Sequence, residues 1–236
     1  VQRAGACDPR LPPDTRSRTM PLHIASKNMR GAWAIRPGGS HVVDVTSGQG
    51  VQARYRRAFS PMHIESEARY VAPDGTTYAC FEHWWQSRKV YPGKDHGARN
   101  GWWRNQMKPK RRDDMLKLKA NKGLRPSHAV DPRHPGTNLD YVASRKRIYV
   151  PDYLAMIQAS ELAQEALTDI RARLARGEHV VVVDFDGPRD PDGSPVCREV
   201  TVDLLREKIE DQRHPFGHGF VVAAAALDIP TEAYAA

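Results

Sequence analysis

Read as a helix, the stretch Phe81-Glu82-His83-Trp84-Trp85-Gln86-Ser87-Arg88-Lys89-Val90-Tyr91 sets Glu82, Trp85, Gln86 and Lys89 on one face, at i, i+3, i+4 and i+7. A structural helix fills such a stripe with Leu, Ile or Ala, and a solvated face rarely carries Trp. One carboxylate, one indole, one amide and one ammonium together describe a polar pocket with an aromatic wall. At the helix start the dipole favours the Glu82 anion, whereas burial beside Trp84 or Trp85 opposes it. A carboxylate held between those effects suits general acid–base work or stabilisation of a developing cation. Lys89 is placed to hold a phosphate or to pair with Glu82. The competing reading is an amphipathic helix with a structural Glu–Lys network and core tryptophans.

Two other groupings carry chemistry. Asp184-Phe185-Asp186-Gly187 ends the run Val180-Val181-Val182-Val183, and a strand end fixes carboxylates while the following loop leaves room for a ligand. The same Asp-x-Asp pair suits a divalent metal or a simple turn, and Asp190 and Asp192 close by fit an Asp-rich turn without function. His214-Pro215-Phe216-Gly217-His218-Gly219 precedes an apolar helix. Backbone N–H groups exposed at such a start suit phosphate or another anion, and His214 and His218 add donors. No third ligand stands at zinc-motif spacing, so the anion site ranks above a metal site.

The elements that must position these groups are legible as an α+β pattern. The continuous valines mark a strand covered on both faces. His41 to Thr46 reads as a short strand, and Pro73-Asp74-Gly75 is a turn before Thr76-Thr77-Tyr78 leads into the Glu82 helix. Arg125 to Asn138, with three prolines and two histidines, reads as a loop. Tyr153 to Arg176 reads as a long helix stopped by Gly177, and Val202–Asp211 and Gly219–Leu227 as two more. Residues 1–19 lack periodic apolar pattern and read as a disordered leader, with one ordered domain over 20–236.

The 236 residues suffice for one sizeable core. No apolar run reaches about 18 residues and no apolar signal core opens the chain, so a cytoplasmic protein with no membrane partner is expected. Cys7, Cys80 and Cys197 are widely spaced and odd in number, which favours reduced thiols. The net charge of +8 admits a polyanionic partner. Between Lys108 and Arg125 lie Lys110, Arg111, Arg112, Lys117, Lys119 and Lys122, with Trp102 and Trp103 just upstream. That segment suits DNA or RNA by tracking phosphates and stacking a base; the plain alternative is a solvated basic helix with both tryptophans in the core.

Phe59-Ser60-Pro61, then Tyr70-Val71-Ala72-Pro73-Asp74-Gly75-Thr76-Thr77-Tyr78, then Phe81-Glu82-His83-Trp84-Trp85-Gln86-Ser87-Arg88-Lys89 together resemble the NADAR (YbiA-like) family over about thirty residues. The later valine strand and the Phe216-Gly217-His218-Gly219 helix start resemble that family's closing elements in order. Pro61 stands where the family usually has Asn, no Trp-Gly pair follows the valine strand, and His214-Pro215-Phe216-Gly217 replaces Asn-x-Leu-Gly. The resemblance is to a divergent member.

It implies a single α+β YbiA-like domain and N-glycosidase action on an ADP-ribosyl or phosphoribosyl substrate, including ADP-ribose attached to nucleic acid. Glu82 matches the family's motif glutamate, with Asp184 or Asp186 as a second carboxylate. Cleaving an N-glycosidic bond builds positive charge on the sugar, which a nearby carboxylate stabilises. Phe59 and Ser60 join the substrate-binding set by their motif. Trp84 or Trp85 would stack the base, Gln86 would hydrogen-bond base or ribose, and Lys89 with the His214, Gly217 and His218 turn would hold phosphate. No metal or redox cofactor is required. The alternative is a non-catalytic protein binding ADP-ribose-type nucleotides or nucleic acid through the same pocket.

Overall fold

The computed structural model describes residues 21–29, 40–47, 54–63, 70–118 and 123–236. The expected leader over 1–19 lies outside the described residues, as do Cys7, Lys119 and Lys122. In chain order the elements are β1 (Leu22–Ser26), β2 (His41–Asp44), α1 (Arg54–Phe59), β3 (Tyr70–Val71), β4 (Thr77–Tyr78), α2 (Phe81–Ser87), β5 (Lys89–Val90), α3 (His96–Arg104), α4 (Arg112–Lys117), β6 (His128–Val130) and β7 (Asn138–Leu139). There follow α5 (Tyr141–Ser144), a π-helical segment Arg145–Tyr149, α6 (Val150–Ala159), α7 (Glu161–Ala175), β8 (Val180–Asp184), β9 (Cys197–Glu199), α8 (Val202–Glu210) and α9 (His218–Ala226). The architecture is mixed α+β.

The main sheet has the order β2-β8-β1-β9. Strand β8 runs parallel to both neighbours and β9 antiparallel to β1. Every residue of β8 is buried, as its unbroken valines require. Helix α9 packs on β8 and β1, and α7 packs on β8 and α9. The C-terminal ends of β1, β2 and β8 therefore open on the same side as the start of α9. Smaller sheets, β3-β4 and β5-β6-β7, flank the Glu82 helix. The turn that joins β3 to β4 is built as its residues dictate: Gly75 takes φ 78°, and the Thr76 N–H donates to Asp74 Oδ1 at 2.9 Å.

Three expectations about elements are corrected. Helix α2 stops at Ser87, and Lys89 opens β5 paired to Ala129. The stretch read as a loop over 125–138 contains β6, which forms because Lys89 and Val90 offer it a free edge. The long helix is two helices. Ser160 leaves helical geometry (φ −90°, ψ 118°) and its Oγ accepts from the Ala163 N–H, capping α7. Ahead of Tyr153 the helix extends back through the π-helical turn. Pro151 has no N–H for the carbonyl of Arg147, which accepts instead from Arg133 Nη1 at 3.0 Å.

The core is rich in aromatic rings. Phe81 meets Tyr70, Tyr149 and Tyr153 edge-on at 5.4–5.6 Å between centroids, so α2 is clamped between β3 and the π-helical turn. Among the described residues no helix is long and apolar enough to cross a membrane.

Candidate active site

A cavity of about 770 Å³ opens between α2, the π-helical turn, the end of β8 and the start of α9. Its lining includes Glu82, Trp85, Gln86 and Lys89, the whole expected stripe, together with Asp184, Asp186, Gly217 and His218. Three stretches, the first about a hundred residues and the second about thirty residues ahead of the next in sequence, thus meet in one place. Lys89 keeps its place on the stripe although α2 has ended, because Arg88 retains helical dihedrals (φ −75°, ψ −18°).

Glu82 enters in the first turn of α2, where its N–H donates to the Pro61 carbonyl at 2.8 Å. One of its oxygens accepts from Gln86 Nε2 at 2.8 Å across one helical turn. The carboxylate keeps a partly exposed surface that faces the cavity, with protein closing round it on its other sides. This burial pushes its pKa above the ordinary carboxylate range, against the pull of Lys89 and Gln86. It makes no ion pair within 4.0 Å among the described residues. Lys89 sits with its Nζ 4.5 Å from the Trp85 ring centroid, and burial brings its pKa down to about 8, with Glu82 opposing.

The second carboxylate pair divides its work. Asp184 is buried, and its Oδ2 accepts from the Gly219 N–H at 2.9 Å and lies 3.3 Å from His218 Nδ1. His218 Nε2 faces the Val45 carbonyl at 2.6 Å, so that nitrogen carries a proton. The close approach needs glycine: a Cβ on Gly219 would stand 2.7 Å from the Cβ of Asp184, and one on Gly217 would stand 2.7 Å from the Cβ of Asp186. The expectation of an open anion site at Gly217–Gly219 is therefore corrected. The start of α9 is already capped from within, by Asp184. Asp186, by contrast, is exposed at the cavity lip yet crowded by protein, and burial together with Asp184 raises its pKa.

Several expected site residues serve elsewhere. Trp84 is fully buried; its Nε1 donates to Asp152 Oδ2 at 3.1 Å and Arg88 stacks on its ring at 4.2 Å. Only Trp85 walls the cavity, beside Tyr149 at 5.2 Å. Phe59 is core, its carbonyl accepting from the Tyr153 hydroxyl at 2.5 Å. Ser60 Oγ accepts from the Met62 N–H at 3.2 Å, a turn that presents Pro61 and Met62 to the cavity in its stead. His214 bonds Asp211 through Nδ1 at 2.9 Å and does not line the cavity. Trp102 and Trp103 pack together at 4.7 Å against the core, where Trp103 is buried and withdrawn from base stacking while Trp102 stays half-buried. From the basic segment Arg111, Arg112 and Arg125 reach the cavity rim.

Other lining residues gave no sequence signal. Tyr149 and Arg145 come from the two ends of the π-helical segment. Tyr149 is buried with no hydrogen bond from its hydroxyl among the described residues, and burial holds the phenol neutral, well above its ordinary pKa. Arg145 is buried and donates to the carbonyls of Ile209 (3.1 Å), Asp211 (2.7 Å) and His214 (2.6 Å), fixing the link from α8 to α9. Pro151, two residues beyond the π-helical segment, is the one local hint of an irregular turn. Among the described residues no three His, Cys, Asp or Glu side chains group as metal ligands.

The arrangement can do three things. It can hold a flat ring against Trp85 and Tyr149, set a carboxylate of raised pKa beside a developing charge, and draw an anion to Lys89 and the arginine rim. No curated protein and no solved structure matches the chain. Residues 26–195 match a family of unknown function, DUF6939, a span that includes α2 and the end of β8 and stops before α9. The chain belongs to the DUF6939 family.

Proposed function

We propose that this protein is an N-glycosidase of NADAR-like type, cleaving the bond between a nitrogenous base and ribose in an ADP-ribosyl or phosphoribosyl substrate. One observation carries the reading: Glu82, with no ion pair among the described residues, shares a cavity with an aromatic wall, the half-buried ammonium of Lys89 and the carboxylate of Asp186. Glu82 lies against the sugar, stabilises the positive charge that grows at C1′ and orients the attacking water. Its raised pKa suits a group that must take the water's proton as the C–N bond breaks. Trp85 and Tyr149 hold the base, Gln86 fixes the Glu82 carboxylate, and Lys89 with Arg112 draws the phosphate. Asp186 is the second carboxylate; Asp184 positions α9 and His218. The setting is cytoplasmic, in keeping with the unpaired Cys80 and Cys197 thiols.

Arg111, Arg112 and Arg125 at the rim favour a second reading, a non-catalytic binder of nucleotide or nucleic acid. Glu82→Gln separates the two. An enzyme keeps its ligand affinity within about threefold in this variant and loses base release by at least about a hundredfold. Absence of base release from the unaltered protein, with nucleotide still bound, would establish the binder instead.

A further inference from the structure

Large apolar side chains that stay exposed among the described residues are Val71, Met107, Leu118, Tyr141 and Phe185. Both aromatics in that set, Tyr141 and Phe185, line the same cavity. Tyr141 is 43% exposed although a folded chain gains by burying such a ring. Its placement is fixed. The N-cap Asp140 accepts from the Ala143 N–H at 2.7 Å, which sets the first turn of α5. The guanidinium of Arg145 lies against the ring, with its Cζ 3.8 Å from the centroid. Arg145 is itself held rigid by three backbone carbonyls. A half-exposed ring that lines a cavity and carries a cation pressed against it is a prepared surface for a flat group. Trp85 and Tyr149 form a separate aromatic wall beside Glu82, and the cavity volume of about 770 Å³ lies in the upper part of the range usual for small-molecule sites, roughly 300–1,000 Å³.

Resting on the N-glycosidase reading, we propose that Tyr141, backed by Arg145, is a specificity-determining residue that stacks a second ring of the substrate. The substrate class then narrows to a ribose joined through a diphosphate to a nucleoside, with the reacting end at Glu82 and Trp85 and the far nucleoside at Tyr141. A phosphoribosyl mononucleotide leaves that platform empty. Arg145 acts through Tyr141 and the α8–α9 link, as a positioning residue.

The test is calorimetric binding of ADP-ribose and of ribose 5-phosphate to the full chain and to Tyr141→Leu and Tyr141→Phe. The expected result is that ADP-ribose binds the parent at least about tenfold more tightly than ribose 5-phosphate. Leu at 141 should erase that difference while leaving ribose 5-phosphate affinity within about twofold, and Phe should retain it. The unchanged ribose 5-phosphate affinity also reports that the Leu variant is folded. Equal binding of ADP-ribose by the parent and the Leu variant would overturn the Tyr141 role and leave the glycosidase reading standing. Failure of both ligands to bind the parent would overturn the two together.

Discussion

Two groups of carboxylates in this molecule are treated in opposite ways. Asp44, at the end of β2, is bonded by Lys27 Nζ at 2.6 Å, by Arg56, and by the Thr46 hydroxyl and N–H. Burial acts to raise its pKa, but these partners outweigh it and hold the carboxyl at about 2. Asp131 is likewise engaged by Arg147 and held below the ordinary carboxylate range; Asp152 is paired with Arg133, although burial still raises its pKa, and the two pairs lock the turn after β6 onto the π-helical segment. Glu82 and Asp186 have no cation within ion-pair distance among the described residues, and burial moves both pKa values upward. The chain has 36 lysines and arginines with which to neutralise them. Under the proposed function, a carboxylate of raised pKa left unpaired at a cavity is the reactive group, and one neutralised as Asp44 is serves as a brace.

The sharpest break of that comparison is Glu82→Gln, which should cut base release at least about a hundredfold while raising the melting temperature. The sign follows from linkage. With its folded pKa raised, the Glu82 contribution is full below the unfolded value of about 4.3 and is lost as pH rises through the folded value. Ionised Glu82 at neutral pH therefore costs stability, and thermal unfolding of the two proteins at pH 7 should show the neutral amide the more stable. Loss of activity together with a lowered melting temperature would make Glu82 a brace like Asp44.

Gly219→Ala attacks the seam where the two groups meet. Its Cβ would press on Asp184, and displacing that cap should destabilise the fold by about 1–3 kcal/mol in denaturant unfolding. Asp44→Asn should cost about 1–2 kcal/mol at pH 7, discounted for partial solvent screening, with base release unchanged. A lowered pKa contributes stability above the unfolded value of about 3.9 that is lost as pH falls through about 2, so the two proteins should converge in stability near pH 2. The smallest effect is on the pH profile. The alkaline limb of kcat/KM should lie near 8, set by Lys89, and Lys89→Arg should move it upward with little change at pH 6.

The parts of the site that the sequence disclosed are those whose geometry is local. Glu82, Trp85 and Gln86 share a face because helical spacing alone decides it, and Asp184 and Asp186 stand at a strand end because four valines precede them. Lys89 was legible for a reason only half right, since one helical residue at Arg88 rather than a longer helix aims it. Arg145, Tyr149 and Tyr141 were not legible. Their positions depend on a π-helical turn and on carbonyls some sixty residues away, which no window of sequence contains. The same limit hid the division between Asp184 and Asp186, which follows from the missing side chain of Gly219 on another element. It also hid the fate of Trp84, whose neighbour Trp85 differs from it only by a step of the helix. The basic segment and the tryptophans upstream of it are contiguous in sequence, yet folding buries Trp103 in the core and sends Arg111, Arg112 and Arg125 to the cavity rim.

The most direct test of the role of Glu82 is mass analysis of products after incubating the protein, and in parallel Glu82→Gln, with ADP-ribosylated guanine DNA and a panel of ribosyl nucleotides. The predicted result, from the unaltered protein alone, is free ADP-ribose with unmodified guanine left in the DNA, or a free base with the intact ribosyl phosphate from a ribosyl nucleotide. Cleavage within the diphosphate, equal release by both proteins, or intact substrates from both would contradict it.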